Sequence, residues 1–290
     1  MRFLPVLLLL AVLPAHADTR LALNDGEALN YKVSWAVIPG AGEIKITALS
    51  DSTGPAPRLR VLTTTATRGF ARWLLPFDAS AESFFDPKSG RLLALNESSK
   101  QPEKEAAHGV TFDYAAARAR YAIPGSTEPP RSLDMPAGDP MDLITSLVQT
   151  RSWDLKIGEK RDVVVLFDDQ FYELTIYALR TEQVKTPLGT FQTLVLEPRM
   201  EKTAPKGMFK KGSKVHVWIE TDDARRLPVR FEVEFKIGTG IATLTHYEPP
   251  TSAKTPAAFE TASSKPDGAA TAAKLVAEKS TAPDAKNSGP

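Results

Sequence analysis

Chemistry in this chain would have to come from few residues. Beyond the first twenty positions the histidines are His108, His216 and His246. No two lie at helical or short-loop spacing, so the ligand pattern that makes zinc motifs specific is missing, and neither a metal nor a cofactor is expected. His216 alternates with Trp218 and reads as a residue on one face of a strand. Paired acids can cleave glycosidic bonds when they face each other across a groove at about 5–10 Å. The local pairs, Asp168-Asp169 and Asp222-Asp223, fall where turns are expected, and Asp is favoured there for its bonds to nearby backbone. The segment Gly207-Met208-Phe209-Lys210-Lys211-Gly212-Ser213-Lys214 has the final Gly and Ser of a phosphate loop. It lacks the lysine before the serine and precedes a strand, so it reads as a basic hairpin. No catalytic residue is assigned.

Aromatic residues give the better binding argument. Tyr31, Trp35, Trp73, Phe112 and Trp218 are spread over many segments, and if they pointed inward they would line an apolar cavity. The competing reading is a filled core, which small curved sheets usually have.

The elements that must position these residues are mostly strands. Leu29, Tyr31, Val33, Trp35 and Val37 alternate with mostly polar neighbours, and Ile44 and Ile46 continue the alternation after an expected turn at Pro39-Gly40-Ala41-Gly42. The period of two recurs at 58–67, 77–85, 91–99, 162–167, 171–179, 192–196, 214–219, 227–237 and 241–247. Short turns between such runs mean antiparallel pairing. The expected fold is mainly β: a single curved antiparallel sheet, an unclosed barrel or a two-layer meander, with roughly a dozen strands. One helix is signalled over 139–151, with Asp139 as cap, Pro140 in the first turn and an apolar stripe of Leu143, Ile144, Leu147 and Val148. It is expected to cover the mouth or open edge of the sheet, with an apolar groove beneath it. A weaker helical turn is expected at 70–74.

The ends of the chain differ from its middle. Arg2, the apolar run Phe3–Leu13 and Ala15-His16-Ala17 form a signal peptide over 1–17, cleaved after Ala17. The run of about 11 apolar residues is too short to span a bilayer, which needs roughly 20. The β-rich domain is assigned to 18–250, and residues 251–290, rich in Ala, Ser, Thr, Pro and Lys, to a disordered tail. The chain has no cysteine, which excludes disulfides, thiolate chemistry and lipidation on cysteine. Its formal charge of +1 gives no electrostatic footprint for nucleic acid.

Several ordered segments resemble a bacterial exported family known as domain of unknown function 3108. They are Gly26-Glu27, Leu29, Tyr31, Trp35 and Gly42; Phe112-Asp113-Tyr114; Asp139-Pro140-Met141-Asp142-Leu143; Gly189-Thr190-Phe191; and above all Val217-Trp218-Ile219-Glu220-Thr221-Asp222-Asp223-Ala224-Arg225-Arg226-Leu227-Pro228-Val229-Arg230. The resemblance covers about residues 24–248. It implies a protein of the Gram-negative envelope and carries over no catalytic residues. Read physically, its last segment is a hairpin: Trp218 ends a strand, Asp222 and Asp223 turn the chain, Arg226 locks the turn through Asp222, and Pro228 opens the next strand.

The expected function is that of a non-enzymatic periplasmic binding or scaffold protein for an apolar or envelope-derived ligand, similar in architecture to the unclosed barrels that carry lipoprotein acyl chains. The alternative is a glycan-active hydrolase or lyase that uses acids such as Glu197, Asp222 or Glu232 in an aromatic cleft. A third reading is assembly with another envelope protein along an exposed strand edge.

Overall fold

A computed structural model describes residues 21–210, 213–235 and 238–254. The leader assigned to 1–17 and the tail from 255 onward lie outside the described residues. In chain order the strands are β1 (Ala28–Trp35), β2 (Ile38–Asp51), β3 (Arg58–Thr67), β4 (Asp78–Phe85), β5 (Leu92–Gln101), β6 (Lys104–Asp113), β7 (Arg118–Ala122), β8 (Arg131–Asp134), β9 (Met141–Asp142), β10 (Lys160–Phe167), β11 (Gln170–Thr186), β12 (Gly189–Arg199), β13 (Lys214–Glu220), β14 (Pro228–Phe235) and β15 (Gly238–Glu248). Helix α1 spans Gly69–Leu74, α2 spans Leu143–Gln149 and continues as a 3₁₀ turn at Thr150–Ser152, and α3 is the short turn Thr251–Lys254.

All fifteen strands belong to one sheet, three more than a dozen, in the order β8-β7-β6-β5-β4-β3-β2-β1-β15-β14-β13-β12-β11-β10-β9. Two runs of hairpins meet at a seam where β1 pairs with β15, from Ala28 opposite Glu248 to Trp35 opposite Gly240. Every pairing is antiparallel except the two-residue contact of β9 with β10. A sheet this wide must curl, and cross-sheet contacts show that it does. Leu95, Val110, Ala119 and Tyr121 from β5–β7 pack with Leu166 of β10, and the Phe112 ring meets Phe171 of β11 edge-on. The edge strands β8 and β9 are not neighbours in the hydrogen-bonded order, so the barrel is unclosed.

Helix α2 is not a cover. It occupies the interior. Leu147 packs with Trp153, Leu174 and Ile176 in one cluster, while Val148 belongs with Leu29, Tyr31 and Phe85 in another. The consecutive residues Thr145–Gln149 are all buried. Ser146 and Thr150 are satisfied locally, donating to the carbonyls of Leu143 and Leu147, and Gln149 accepts the Ala22 N–H from far off in sequence, whereas the buried Thr145 hydroxyl has no hydrogen-bond partner among the described residues. The helix start also differs from the expected one. Asp142 is the cap and accepts the Thr145 N–H at 2.8 Å, because Met141-Asp142 is first captured in parallel by Val165-Leu166 of β10. Asp139 instead accepts from Arg91 Nε at 2.8 Å.

Two turns depart from expectation. Trp35 pairs with Ile38, so the first hairpin turns at Ala36-Val37 and the Pro39–Gly42 segment lies inside β2. Ala36 takes φ +48° there. Gly42 serves another purpose, since a Cβ on it would lie 2.8 Å from the Ala66 carbonyl oxygen of β3. At the other end the tail assigned from Thr251 begins with a helical turn that docks on the domain. The Thr251 N–H donates to the Asp25 carbonyl, and its hydroxyl sits where a Cβ on Gly26 would be.

Candidate binding pocket

The concave face of β3–β6 carries small side chains at its open end. Successive strands place Thr63 opposite Ala81, Thr65 opposite Ala79, and Ala79 opposite Ser99. None can fill the space a Leu or Phe would fill. One rung deeper the same face carries Ser83, Leu95 and Val110, which are buried. The result is a cavity of about 380 Å³, lined by these small residues and closed from the far side by Ile144 of α2 and by Phe167 and Asp168 at the β10–β11 turn.

Glu97 and His108 stand on its wall, with Gln101 and Lys104 nearer the β5–β6 turn. Glu97 and His108 are opposite each other in the β5–β6 register, with His108 Nε2 3.0 Å from Glu97 Oε2. The His108 ring stacks on Tyr121, with centroids 5.0 Å apart. Behind them Asp142 is buried and accepts from the Ser83 hydroxyl at 2.7 Å. Burial pushes the Asp142 carboxyl above the usual carboxylate range, against the bonds from Thr145 and Ser83, and the Glu97 charge adds to the rise. The wall therefore offers an imidazole, a carboxylate and several hydroxyls to a ligand that bears hydroxyl or amide groups. Among the described residues no three His, Cys, Asp or Glu side chains converge as a metal site.

None of the five aromatic candidates lines this cavity. Tyr31 is buried in the core, its hydroxyl donating to the Pro228 carbonyl at 2.8 Å. Trp35 stacks on Phe235 beside Gly238 and Gly240. Phe112 packs between Tyr114 and Phe171. Trp218 is buried, with its indole N–H on Glu182 Oε1 at 2.5 Å and the Arg230 guanidinium over its ring. Trp73 is 76% exposed. The acids of the hydrolase reading are also elsewhere: Glu197 pairs with Arg199, Glu232 with Arg230, and Asp222 is exposed in the β13–β14 turn. His216 tilts against Trp218, and His246 lies beside Glu248.

The β13–β14 hairpin forms where expected, with Pro228 as the first residue of β14, although β13 runs on past Trp218 to Glu220. Its lock is different. Asp223, not Asp222, ties the turn by accepting from the Arg225 backbone and side chain. Arg226 reaches away from the turn, donating to the carbonyls of Arg151 at 2.8 Å and Trp153 at 2.9 Å. Arg151 in turn pairs with the buried Glu27 at 2.6 Å. One chain of contacts thus joins the hairpin, the end of α2 and the approach to β1. These partners are far apart in sequence, so no spacing could have revealed them.

The pocket residues were missed for a related reason, though a signal existed. Leu95 and Glu97 share one strand face, so a charged residue follows a buried leucine on the inward side. The alternation of Thr63, Thr65, Ala79 and Ala81 likewise marks an inward face too small to fill its space.

A model of the family described as "Protein of unknown function (DUF3108)" matches residues 30–245. No curated protein matches the chain. Among solved structures, the chain is similar to a beta-barrel-like protein of domain of unknown function DUF1849 from Brucella abortus. The identity is 7% and the TM-score 0.50, over 78% of this chain and 99% of that one. At that identity the likeness concerns the fold alone.

Proposed function

The chain belongs to the DUF3108 family of proteins of unknown function, and on that footing we propose that it is an exported, periplasmic binding protein without catalytic activity. Its ligand is a small hydroxyl- or amide-bearing molecule of the cell envelope, a glycan or peptide fragment. The observation that carries this reading is the hollow on the concave face of β3–β6, with Glu97 and His108 on its wall. Its volume of about 380 Å³ falls in the range of small-ligand sites. The lining of Thr, Ser and Ala beside Ile144 and Phe167 favours a polar ligand over an acyl chain. Export is supported by the residues of the leader.

The test is titration of the purified chain from Asp18 to Pro290 with N-acetylglucosamine oligomers and with short cell-wall peptides, followed by heteronuclear NMR. Saturable shifts that move resonances of β3–β6 are expected. Ala81→Phe should fill the cavity and abolish them while leaving the thermal transition in place, and His108→Ala should weaken binding about tenfold through one lost hydrogen bond to a buried partner. If neither class binds, and a fluorescent fatty acid binds saturably to the wild type and to Ala81→Phe alike, the proposal fails.

A further inference from the structure

Five of the nine large apolar side chains that are exposed among the described residues lie at α1 and at the tip of the first hairpin, the other four being Leu49, Ile123, Ile157 and Leu188. Phe70, Trp73 and Leu74 of α1, the next residue Leu75, and Val37 at the tip of the first hairpin are 57–93% exposed. Helix α1 has no buried residue at all. Yet it is firmly held. Its start is tied to β2 by the Arg68 N–H on the Ala41 carbonyl. Its end is tied by the Thr67 hydroxyl on the Leu75 carbonyl and by a two-pronged Arg72–Asp78 pair. The Phe70 and Trp73 rings stack with centroids 5.7 Å apart. A turn anchored by these bonds while its apolar residues stay in water is displaying them.

The geometry points to a phospholipid surface as the partner of this knob. A one-turn helix that projects large side chains is convex, and a bilayer interface yields to it without a complementary hollow. Trp and Phe beside Leu are the residue types that settle at headgroup depth. The surrounding charge fits an anionic surface: Arg68 at 2.6 Å and Lys45 at 3.3 Å share the single carboxylate of Glu43, which leaves one cation in surplus beside the knob. The position adds a consequence. Thr65 and Ala79 line the cavity described above, and the α1 loop is the chain that connects them. Docking by α1 would therefore bring the cavity rim to the membrane, whatever the cavity holds.

Every described element of the fold lies beyond residue 20, so the chain from Asp18 to Pro290 contains all of them and lacks the apolar run Phe3–Leu13 that would itself bind lipid. This chain is mixed with vesicles of phosphatidylglycerol and phosphatidylethanolamine, or of phosphatidylcholine alone, and sedimented. The wild type should pellet with the anionic vesicles and shift its tryptophan emission to the blue. Phe70→Ser with Trp73→Ser should lower the partition coefficient at least about tenfold, given the apolar area removed, with an unchanged circular dichroism spectrum. Trp73→Phe should keep binding but lose most of the emission shift. The inference is overturned if the wild type stays in solution with both vesicle types, or if the double variant pellets as well as the wild type. It is equally overturned if the wild type self-associates through this patch without lipid and the double variant is a monomer.

Discussion

At the scale of single residues, the polar groups inside the barrel determine what its stability depends on. Glu27 and Arg151 are both buried and paired at 2.6 Å. Removing one partner of such a pair leaves a charge in a place where water cannot reach it. Glu27→Gln is therefore expected to lower the unfolding free energy by about 3–5 kcal/mol in urea titrations. Combining it with Arg151→Met should cost clearly less than the two single changes added together, because no orphaned charge remains. Asp142 makes a different prediction. Burial raises its carboxyl above 3.8, so the folded chain holds a proton at pH values where the unfolded chain has released it. Stability from this group is thus fully present below about pH 4 and falls as pH rises through the raised value. Asp142→Asn keeps a good helix cap and cannot ionise. It should flatten the stability profile above pH 4 relative to wild type, whereas Asp142→Ala should cost about 1 kcal/mol or more at every pH through the lost cap. Identical profiles for wild type and Asp142→Asn would show that the carboxyl does not titrate in this way.

At the scale of elements, α2 shows what a sequence pattern can and cannot say. The stripe of Leu143, Ile144, Leu147 and Val148 announces a helix and its apolar side, and a helix forms there. It does not announce that the other side is buried as well, because Ser146, Gln149 and Thr150 look like a wet face. The Ser146 and Thr150 hydroxyls are satisfied by the helix's own carbonyls one turn back, and the Gln149 amide oxygen by the Ala22 N–H, which removes the need for water. Period and composition cannot distinguish that from exposure. The same limit explains the first hairpin, where Pro39-Gly40 reads as the turn although Ala36-Val37 makes it. A helix packed on both flanks should be sensitive in proportion to the void left behind. Leu147→Ala, deep in its cluster, should cost about 2–5 kcal/mol, and Ile144→Ala, which already borders a cavity, should fall at or below the lower end of that range. Equal losses at the two positions in thermal or urea unfolding would contradict the asymmetry.

At the scale of the whole molecule, the period of two makes the hairpins readable one by one, so an all-β curled sheet follows from the sequence. The seam does not, because nothing local marks Leu29 as the partner of Tyr247, and only the closing of the sheet brings them together. The seam is also where the architecture is most exposed to failure. With no cysteine, no disulfide can hold the two runs of hairpins together. The free edges are kept short, four residues in β8 and two in β9, which limits strand addition from outside but gives the sheet little to gain there. The hydrogen-bonded link between the halves is therefore β15, which pairs with β1 on one side and β14 on the other. It also brings Leu244 into the cluster that contains Leu29, Tyr31 and Val148. A chain ending at residue 254 keeps every described strand and should unfold in one cooperative transition. A chain ending at residue 237 loses one strand of fifteen but divides the sheet in two, so it should lose far more than a fifteenth of the structure. Its expected behaviour is the absence of both a cooperative thermal transition and a protease-resistant core. Should it instead retain a resistant fragment covering β1–β8, that run of hairpins would fold by itself, and the pairing of β1 with β15 would not be what makes the barrel one unit.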